Sequence, residues 1–350
     1  MQMTAAPILI GSLFDFPQAD EGASFLEAVG LGLDDVAATG RLDRPVEFVR
    51  HLARGLPAGT ARDVENGFDD LEAMGVLAIL GPSISDNGLI VRDLADYAGL
   101  PCINYTGGEH TRSEFMFHYQ VGSLEEEPAV LARYLVDEGR RTVAVIHDHS
   151  PVGRRYAEFF EQARGLVGLE VTGSASIAPL AEDATSLVSR LRAAEPDALL
   201  YLGLGVAART VALAVQAAQW TVPVVTNSAL MFGYAQRDWR AAWEGWVYVD
   251  TVADDNEMRA RLRERSPASA AGPIGVAAYD LGRLLGEAIA CSVHLTRDGI
   301  RDGLERVKQL PATSGREGTM MGFGAWDHAA LKGPYLVLRS WREGRTVQVT

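Results

Sequence analysis

The sequence predicts an α/β protein with two doubly wound parallel sheets, and three observations support this. Short apolar runs alternate with segments of helical periodicity along most of the 350 residues. The runs recur at roughly 30-residue spacing, which is typical of right-handed β–α–β units. The alternation also occurs twice, over residues 7–121 and again from Thr142. A chain of this length exceeds what one hydrophobic core usually supports, so we expect two domains.

The individual elements follow from hydrophobic periodicity. Apolar runs too short for helices predict strands at 7–11, 46–49, 76–80, 101–104, 142–146, 170–174, 198–202, 222–226 and 246–249. Apolar residues with a 3.6-residue period predict helices at 23–39, 63–74, 89–97, 126–138, 153–166, 183–194 and 207–218. The pattern then changes, because helices at 256–265 and 274–290 follow each other without a strand between them.

Composition excludes several classes of protein. With 32 Lys+Arg against 46 Asp+Glu, the net charge is −14, which argues against a nucleic-acid-binding protein that needs a basic face. The most apolar stretch, 274–295, carries Asp280, Arg283 and Glu287, so we expect no insertion into a membrane. The first residues show no basic segment followed by an apolar one, so we expect either that a leader was removed or replaced or that the protein is cytoplasmic.

Motifs for catalysis, metals and cofactors are missing, so we predict no enzyme, no cofactor and no metal. Cys102 and Cys291 belong to no ligand cluster. His147 and His149 lack a third ligand at a sensible spacing. The run that begins at Gly203 is half of a dinucleotide fingerprint, and Ala208 takes the place of its third glycine.

The loops that follow the strands are the expected ligand site, since ligands of open α/β sheets bind at the carboxyl ends of the strands. Two such domains facing each other would hold the ligand in a cleft between them. After the third strand, Ser85 or Asp86 suits a helix N-cap, while Ser83 with Ser85 suits a small anion or carbonyl site. Both readings are open. The acidic run 125–127 starts a helix and is interpreted as charge that complements the helix dipole.

Several stretches, taken in their order, resemble the type I periplasmic binding proteins, in the leucine/isoleucine/valine-binding branch of ABC-transporter receptors. They are Gly75-Val76-Leu77-Ala78-Ile79-Leu80-Gly81-Pro82-Ser83, Ala98-Gly99-Leu100-Pro101-Cys102-Ile103-Asn104, Val143-Ala144-Val145-Ile146-His147-Asp148 followed by Val152-Gly153, and Ala277-Ala278-Tyr279-Asp280. The resemblance spans about residues 7–345.

The resemblance implies two Rossmann-like lobes joined by a three-strand hinge, with a ligand cleft between them that closes on the ligand. Lobe one would hold 1–121 plus 252–327, and lobe two 122–251 plus 328–350. It implies an extracytoplasmic solute-binding protein, periplasmic or lipid-anchored, whose partner is an ABC permease. The alternative is a cytoplasmic small-molecule sensor of the same fold, similar to the amide-sensing regulators.

The resemblance also implies roles for particular residues. Family members hold the ligand carboxylate with the loop that corresponds to Ser83–Ser85, and Asn104–Gly108 would supply further donors. Val152 and Leu204 stand where the family has aromatic residues, and Ser228 stands where an acid pairs the ligand ammonium. The predicted ligand-binding residues are Phe14, Ser83, Ser85, Asn104, Tyr105, Thr106, Val152, Leu204, Asn227, Ser228 and Tyr279.

The serine at position 228 suggests a ligand without an obligatory ammonium, because a buried ammonium without a carboxylate partner is costly. Asp15, Asp148 or Asp250 could substitute for the missing acid. The hypothesis is a small organic ligand, such as an aliphatic or aromatic carboxylate or an amide. Its apolar pocket would be lined by Phe14, Phe16, Tyr105, Met231 and Tyr279.

Overall fold

A computed structural model describes residues 6–15 and 21–349 of the chain, and Phe16 therefore lies outside the described residues. The chain divides into two compact units and passes from one to the other after Val121, Thr251 and Tyr335. The first unit contains the segments up to Val121 and from Val252 to Tyr335, and the second contains the rest.

The first unit opens with alternating strands and helices. In chain order these are β1 (Ile8–Phe14), α1 (Glu21–Ala37), β2 (Val46–Leu52), α2 (Ala61–Ala73), β3 (Ala78–Leu80), α3 (Ser85–Ala98), β4 (Cys102–Asn104) and β5 (Met116–His118). The strands form one sheet in the order β2-β1-β3-β4-β5, and every neighbouring pair is parallel. Leu13, Phe68 and Ile79 lie in the core between this sheet and its helices.

The second unit repeats this alternation. Its elements are α4 (Glu127–Asp137), β6 (Thr142–Asp148), α5 (Pro151–Val167), β7 (Glu170–Ile177), α6 (Thr185–Arg192), β8 (Ala198–Leu202), α7 (Ala208–Ala217), β9 (Val224–Thr226) and β10 (Val247–Asp250). Strands β7, β6, β8, β9 and β10 are neighbours in that order and pair in parallel. Apolar clusters cover both faces of the sheet, as a parallel sheet requires.

The chain then returns to the first unit and finally to the second. The returning elements are α8 (Glu257–Arg265), α9 (Pro273–Cys291), α10 (Arg297–Arg306), β11 (Leu310–Pro311), β12 (Met320–Met321) and β13 (Leu331–Lys332). Helix α9 packs along α1 in the first unit. Two last strands, β14 (Val337–Arg342) and β15 (Arg345–Val349), extend the second sheet beyond β10 as an antiparallel hairpin.

The predicted fold class is confirmed, and the differences concern short or polar elements. Strand β5 has three residues, which is too short for a periodic pattern. The β14–β15 hairpin carries Arg339, Arg342 and Arg345 among its apolar residues. These arginines make its sequence resemble a polar tail. Helix α10 is rich in charged residues and was not predicted. None of the helices among the described residues is long and apolar enough to cross a membrane.

Candidate functional site

In the first unit, the carboxylate of Asp15 joins the end of β1 to the loop after β3. Asp15 directly follows β1 and is 2% exposed. Its Oδ1 accepts hydrogen bonds from the Ser83 N–H at 2.7 Å and the Ser83 hydroxyl at 2.6 Å. Its Oδ2 accepts from the Ile84 N–H at 3.0 Å and the Asn87 side-chain amide at 2.8 Å. Burial raises the pKa of Asp15, and these four hydrogen bonds oppose that rise.

This arrangement contradicts one of the two interpretations of the loop after β3, the N-cap at Ser85 or Asp86, and the small anion or carbonyl site at Ser83 and Ser85 stays a prediction. Helix α3 begins at Ser85, its N-cap is Ile84, and no side chain of the N-cap residue makes a capping hydrogen bond. Ser85 and Asp86 therefore lie inside the first turn, and the predicted N-cap at either of them is wrong. The carboxylate of Asp15, distant in sequence, accepts from the backbone at the start of the helix instead.

The loop after β4 is a buried hydrogen-bonded network. The Thr106 hydroxyl donates to Asn104 Oδ1 at 2.9 Å, and the Asn104 amide donates to the Phe117 carbonyl at 2.8 Å. His118 Nε2 lies 2.8 Å from the Thr106 carbonyl, and burial lowers the pKa of His118 to about 3, so this imidazole is neutral. Tyr105 is 1% exposed and its ring stacks on Phe25 with centroids 4.7 Å apart. These side chains hold the loop in one shape.

Two other predicted residues of this unit are also buried. Phe14, at the end of β1, is 5% exposed. Tyr279 lies on α9, where its hydroxyl donates to Asp35 of α1, so the structure places its hydroxyl at a contact between helices. It does not join the network of Asp15, Ser83 and Asn87.

In the second unit, the loop after β8 is bound by Asn227, which follows β9, and by Asp148, at the end of β6. Asp148 Oδ1 accepts from the Tyr201 hydroxyl at 2.6 Å and its Oδ2 from the Leu204 N–H at 2.7 Å. Asn227 accepts from the Gly203 N–H at 3.1 Å and donates to the Gly203 carbonyl at 2.8 Å. A Cβ atom at Gly203 would overlap the Asp148 carboxyl, so only glycine permits this approach.

Burial raises the pKa of Asp148 to about 6, and the hydrogen bonds from Tyr201 and Leu204 oppose this rise. Two predicted residues meet at Gly203, since Leu204 follows it in the chain and Asn227 forms hydrogen bonds with its N–H and carbonyl groups. Val152, in the first turn of α5, is 4% exposed and packs in the same apolar cluster as Leu204.

Ser228, the last predicted residue, contacts a buried acid that the sequence analysis assigned to another role. Glu127 is 0% exposed. Its Oε2 accepts from the Ser228 N–H at 2.6 Å, and its Oε1 accepts from the Ser228 hydroxyl and the Tyr156 hydroxyl, each at 3.1 Å, and from the Ser123 N–H at 2.6 Å. Burial raises the pKa of Glu127 to about 7, and these hydrogen bonds oppose the rise.

Glu127 lies in the first turn of α4, as the interpretation of residues 125–127 as charge that complements the helix dipole requires, and the structure adds that the Glu127 side chain is buried. Its carboxylate is enclosed because Gly122 carries no side chain, and a Cβ atom there would overlap Glu127 Oε1. Glu126 is exposed and Glu127 is buried. A run of three identical acids gives no sign of which one is buried.

Asp250, the last of the three suggested substitutes for the missing acid, also has internal partners. It is 2% exposed, and it accepts from the Tyr234 hydroxyl and the Thr251 N–H, both at 2.7 Å. Asp15 and Asp148 are satisfied in the same manner by their own units. The carboxylate that lies against Ser228 is that of Glu127.

The comparisons with known proteins agree with the fold. The model of a family described as "Periplasmic binding protein" matches residues 7–339. The chain therefore belongs to the periplasmic binding protein family, in the type I class that the sequence resembles. A search of curated proteins gives no match.

Solved structures of the same fold include three named relatives. A type 1 periplasmic binding protein from Bordetella pertussis is 16% identical, with a TM-score of 0.83 over 98% of this chain and 100% of that one. LivJ of Streptococcus pneumoniae, solved with isoleucine, is 16% identical with a TM-score of 0.82 over the same shares. The leucine-binding protein LivK of Thermotoga maritima is 14% identical with a TM-score of 0.81 over 98% of each chain.

The sequence did not reveal Asn87 and Tyr201, which donate hydrogen bonds to Asp15 and Asp148. Asn87 and Tyr201 carry no motif, and their roles depend on distant carboxylates. One signal was present, because Asp15, Asp148 and Asp250 each stand at or next to the end of a strand. Acids at strand ends indicate the carboxyl edge of a parallel sheet, and in this chain each accepts hydrogen bonds from neighbouring segments of its own unit.

Proposed function

We propose that the chain is an extracytoplasmic solute-binding protein that delivers a small organic ligand to an ABC permease of the branched-chain-amino-acid type. The family match over residues 7–339 carries this proposal. The names of the structural relatives support it, since they include the amino-acid-binding proteins LivJ and LivK. At such low sequence identity these relatives indicate the fold only. The ligand has to be inferred from the residues of this chain.

The ligand is an amino acid, a carboxylate or an amide, bound by the strand-end loops. Glu127 alters the earlier argument against an ammonium group, which rested on Ser228 alone. A carboxyl group lies directly against Ser228. Burial raises its pKa to about 7, so its ionised form is a partner for a cationic or amide group near this serine. Burial disfavours the ionised form of Glu127, and the hydrogen bonds from Ser123, Tyr156 and Ser228 favour it.

A thermal-shift screen of the purified chain tests the proposal. The panel contains branched-chain and aromatic amino acids, their amides and their deaminated acids. A ligand at 100 times its dissociation constant should stabilise the protein by about 2.7 kcal/mol. Stabilisation by one chemical class supports the proposal, and no stabilisation by any member, together with turnover of a metabolite, contradicts it.

Variants at the strand ends test the site. Ser228→Ala should weaken binding of the ligand, because it removes a hydroxyl that holds the Glu127 carboxylate in place. Ser189→Ala on α6 is the matched control and should leave affinity unchanged, since that residue lies within a helix of the second unit. Equal affinities of both variants and the wild type would remove this loop from the site. The closure of the lobes on the ligand, implied by the resemblance, stays a prediction.

A further inference from the structure

A surface groove lies between helices α2 and α3 of the first unit. The two helices pack against each other and cover the same apolar core. The groove has a volume of about 500 Å³, and its lining residues are Glu65, Leu89, Ile90, Arg92, Asp93 and Leu94. Three of the six are aliphatic, although the groove opens to solvent. None of them belongs to the strand-end loops.

The apolar part of the groove belongs to α3. Ile90 and Leu94, one turn apart, pack partly against the core and stay partly exposed, and Leu89 beside them is also half-buried. Tyr97 lies three residues beyond Leu94, hence on the same side of the helix, and is 94% exposed. The stretch from Leu89 to Tyr97 is about 12 Å long, or two helical turns. Exposed apolar side chains grouped in this way indicate a surface that another molecule covers.

The surroundings of the groove are strongly acidic. Helices α2 and α3 carry eight acidic residues against two arginines, which is a net charge of −6 out of the −14 of the whole chain. The two arginines lie beside acids of the groove, Arg62 at 3.7 Å from Glu65 and Arg92 at 2.8 Å from Asp93. Exposed ion pairs of this kind contribute little to stability, so the cations of a partner can take their place.

We propose that the α2–α3 groove is a docking site for a basic amphipathic helix of a partner protein. Apolar side chains spaced three and four apart on that helix enter the groove, and its lysines or arginines face Glu65 and Asp93. The charge selects this occupant, because complementary charge favours association and like charge opposes it. A second copy of the same face and an anionic membrane surface are both repelled by these acids. The site is independent of the solute that the strand-end loops bind.

A synthetic peptide tests the groove on the full chain. The probe is a fluorescein-labelled peptide of about five helical turns, with leucines spaced three and four apart on one side and lysines on the other. One twin carries glutamates in place of the lysines, and a second has the same residues in scrambled order. Fluorescence anisotropy should show binding of the lysine peptide that saturates at one site per chain with a micromolar dissociation constant. Neither twin should bind at that level.

Apolar substitutions separate docking from general attraction between opposite charges. Leu89→Glu should weaken binding of the lysine peptide about tenfold, although it makes the chain more negative. Leu166→Glu on α5 adds the same charge at a leucine that is 88% exposed, and this matched control should leave affinity unchanged. Tyr97→Ala should weaken binding about fivefold. It serves as the second variant if Leu89→Glu fails to fold, because the Tyr97 side chain is too exposed to be needed for folding.

The acids of the groove have their own control. Glu65→Gln should weaken binding about threefold, while Glu158→Gln, an exposed acid on α5, should not. Equal binding of the scrambled peptide, or equal losses in these two variants, would show general attraction to an acidic protein and overturn the proposal. Absence of binding by the lysine peptide would overturn it as well. A wild-type dimer in sedimentation that Tyr97→Ala abolishes would assign the groove to a second copy of the chain and would also overturn it.

Discussion

Replacement of Glu127 by glutamine should remove a pH-dependent loss of stability from the second unit. The glutamate is fully buried, and burial raises its pKa from the ordinary 4.5 to about 7. In the unfolded chain the same group ionises near its ordinary value. Between these two pH values the folded protein holds a proton that the unfolded chain has lost.

The sign and the size follow from this difference. The stability that Glu127 contributes is fully present below about pH 4.5 and is lost as the pH rises toward about 7. A pKa difference of this size corresponds to roughly 3 kcal/mol of stability. Glutamine does not titrate, so the Glu127→Gln variant should lack this contribution and keep only the pH dependence of the other groups. The side-chain NH₂ group of this glutamine would face the N–H of Ser228 or of Ser123, and two donors cannot form a hydrogen bond. The substitution should therefore also lower stability by an amount that does not depend on pH.

Urea denaturation at half-unit steps from about pH 4.5 to about pH 8 would measure this effect. Tryptophan fluorescence is a suitable signal, since all six tryptophans except Trp326 lie in the second unit. The stability of the wild type relative to Glu127→Gln should fall by roughly 3 kcal/mol across this range. The exposed neighbour Glu126→Gln should follow the wild type. Parallel curves for the wild type and Glu127→Gln would refute the reasoning.

Three further predictions concern the same loops. Asp148→Asn should remove the smaller loss of stability between about pH 4 and about pH 6, because burial raises the pKa of this group to about 6; an unchanged pH profile by urea denaturation would contradict this. Gly203→Ala should destabilise the second unit by about 2 kcal/mol or more, as its Cβ atom overlaps the Asp148 carboxyl, while Gly165→Ala, with open space around it, should not. Asn87→Ala should lower the melting temperature and cost roughly 1–3 kcal/mol, since Asp15 and Leu56 lose their shared partner; Asn87→Asp should be worse, because it sets two carboxylates together.

The fold could be predicted from the sequence because the strands of the parallel sheets are continuous apolar runs that recur at a regular spacing. The run at 198–202 matches β8 residue for residue, since all five of its residues are buried. The hairpin β14–β15 could not be found in this way. Arg339 contacts the other strand of the hairpin, since its Nε donates to the Thr346 hydroxyl at 2.8 Å, and hydrophobic periodicity does not detect such a pair.

The sequence was sufficient to predict which loops form the candidate site. It was not sufficient to predict the hydrogen bonds that the residues of these loops make. Strand ends located Ser83, Asn227 and Ser228, because the carboxyl edge of a parallel sheet follows from chain order. The partners of these residues were not predictable. Asp15 lies 68 positions from Ser83 and Glu127 lies 101 from Ser228, and one sequence contains no information that joins such pairs. Burial of a single acid within a run of three is equally invisible.

Isothermal titration of the purified chain with the best ligand of the screen tests the central claim most directly. The account predicts that one small organic molecule binds per chain, that it is recovered chemically unchanged, and that Ser228→Ala binds it more weakly. Binding without saturation at one site per chain, or recovery of a converted product, would contradict the claim that this is a solute-binding protein.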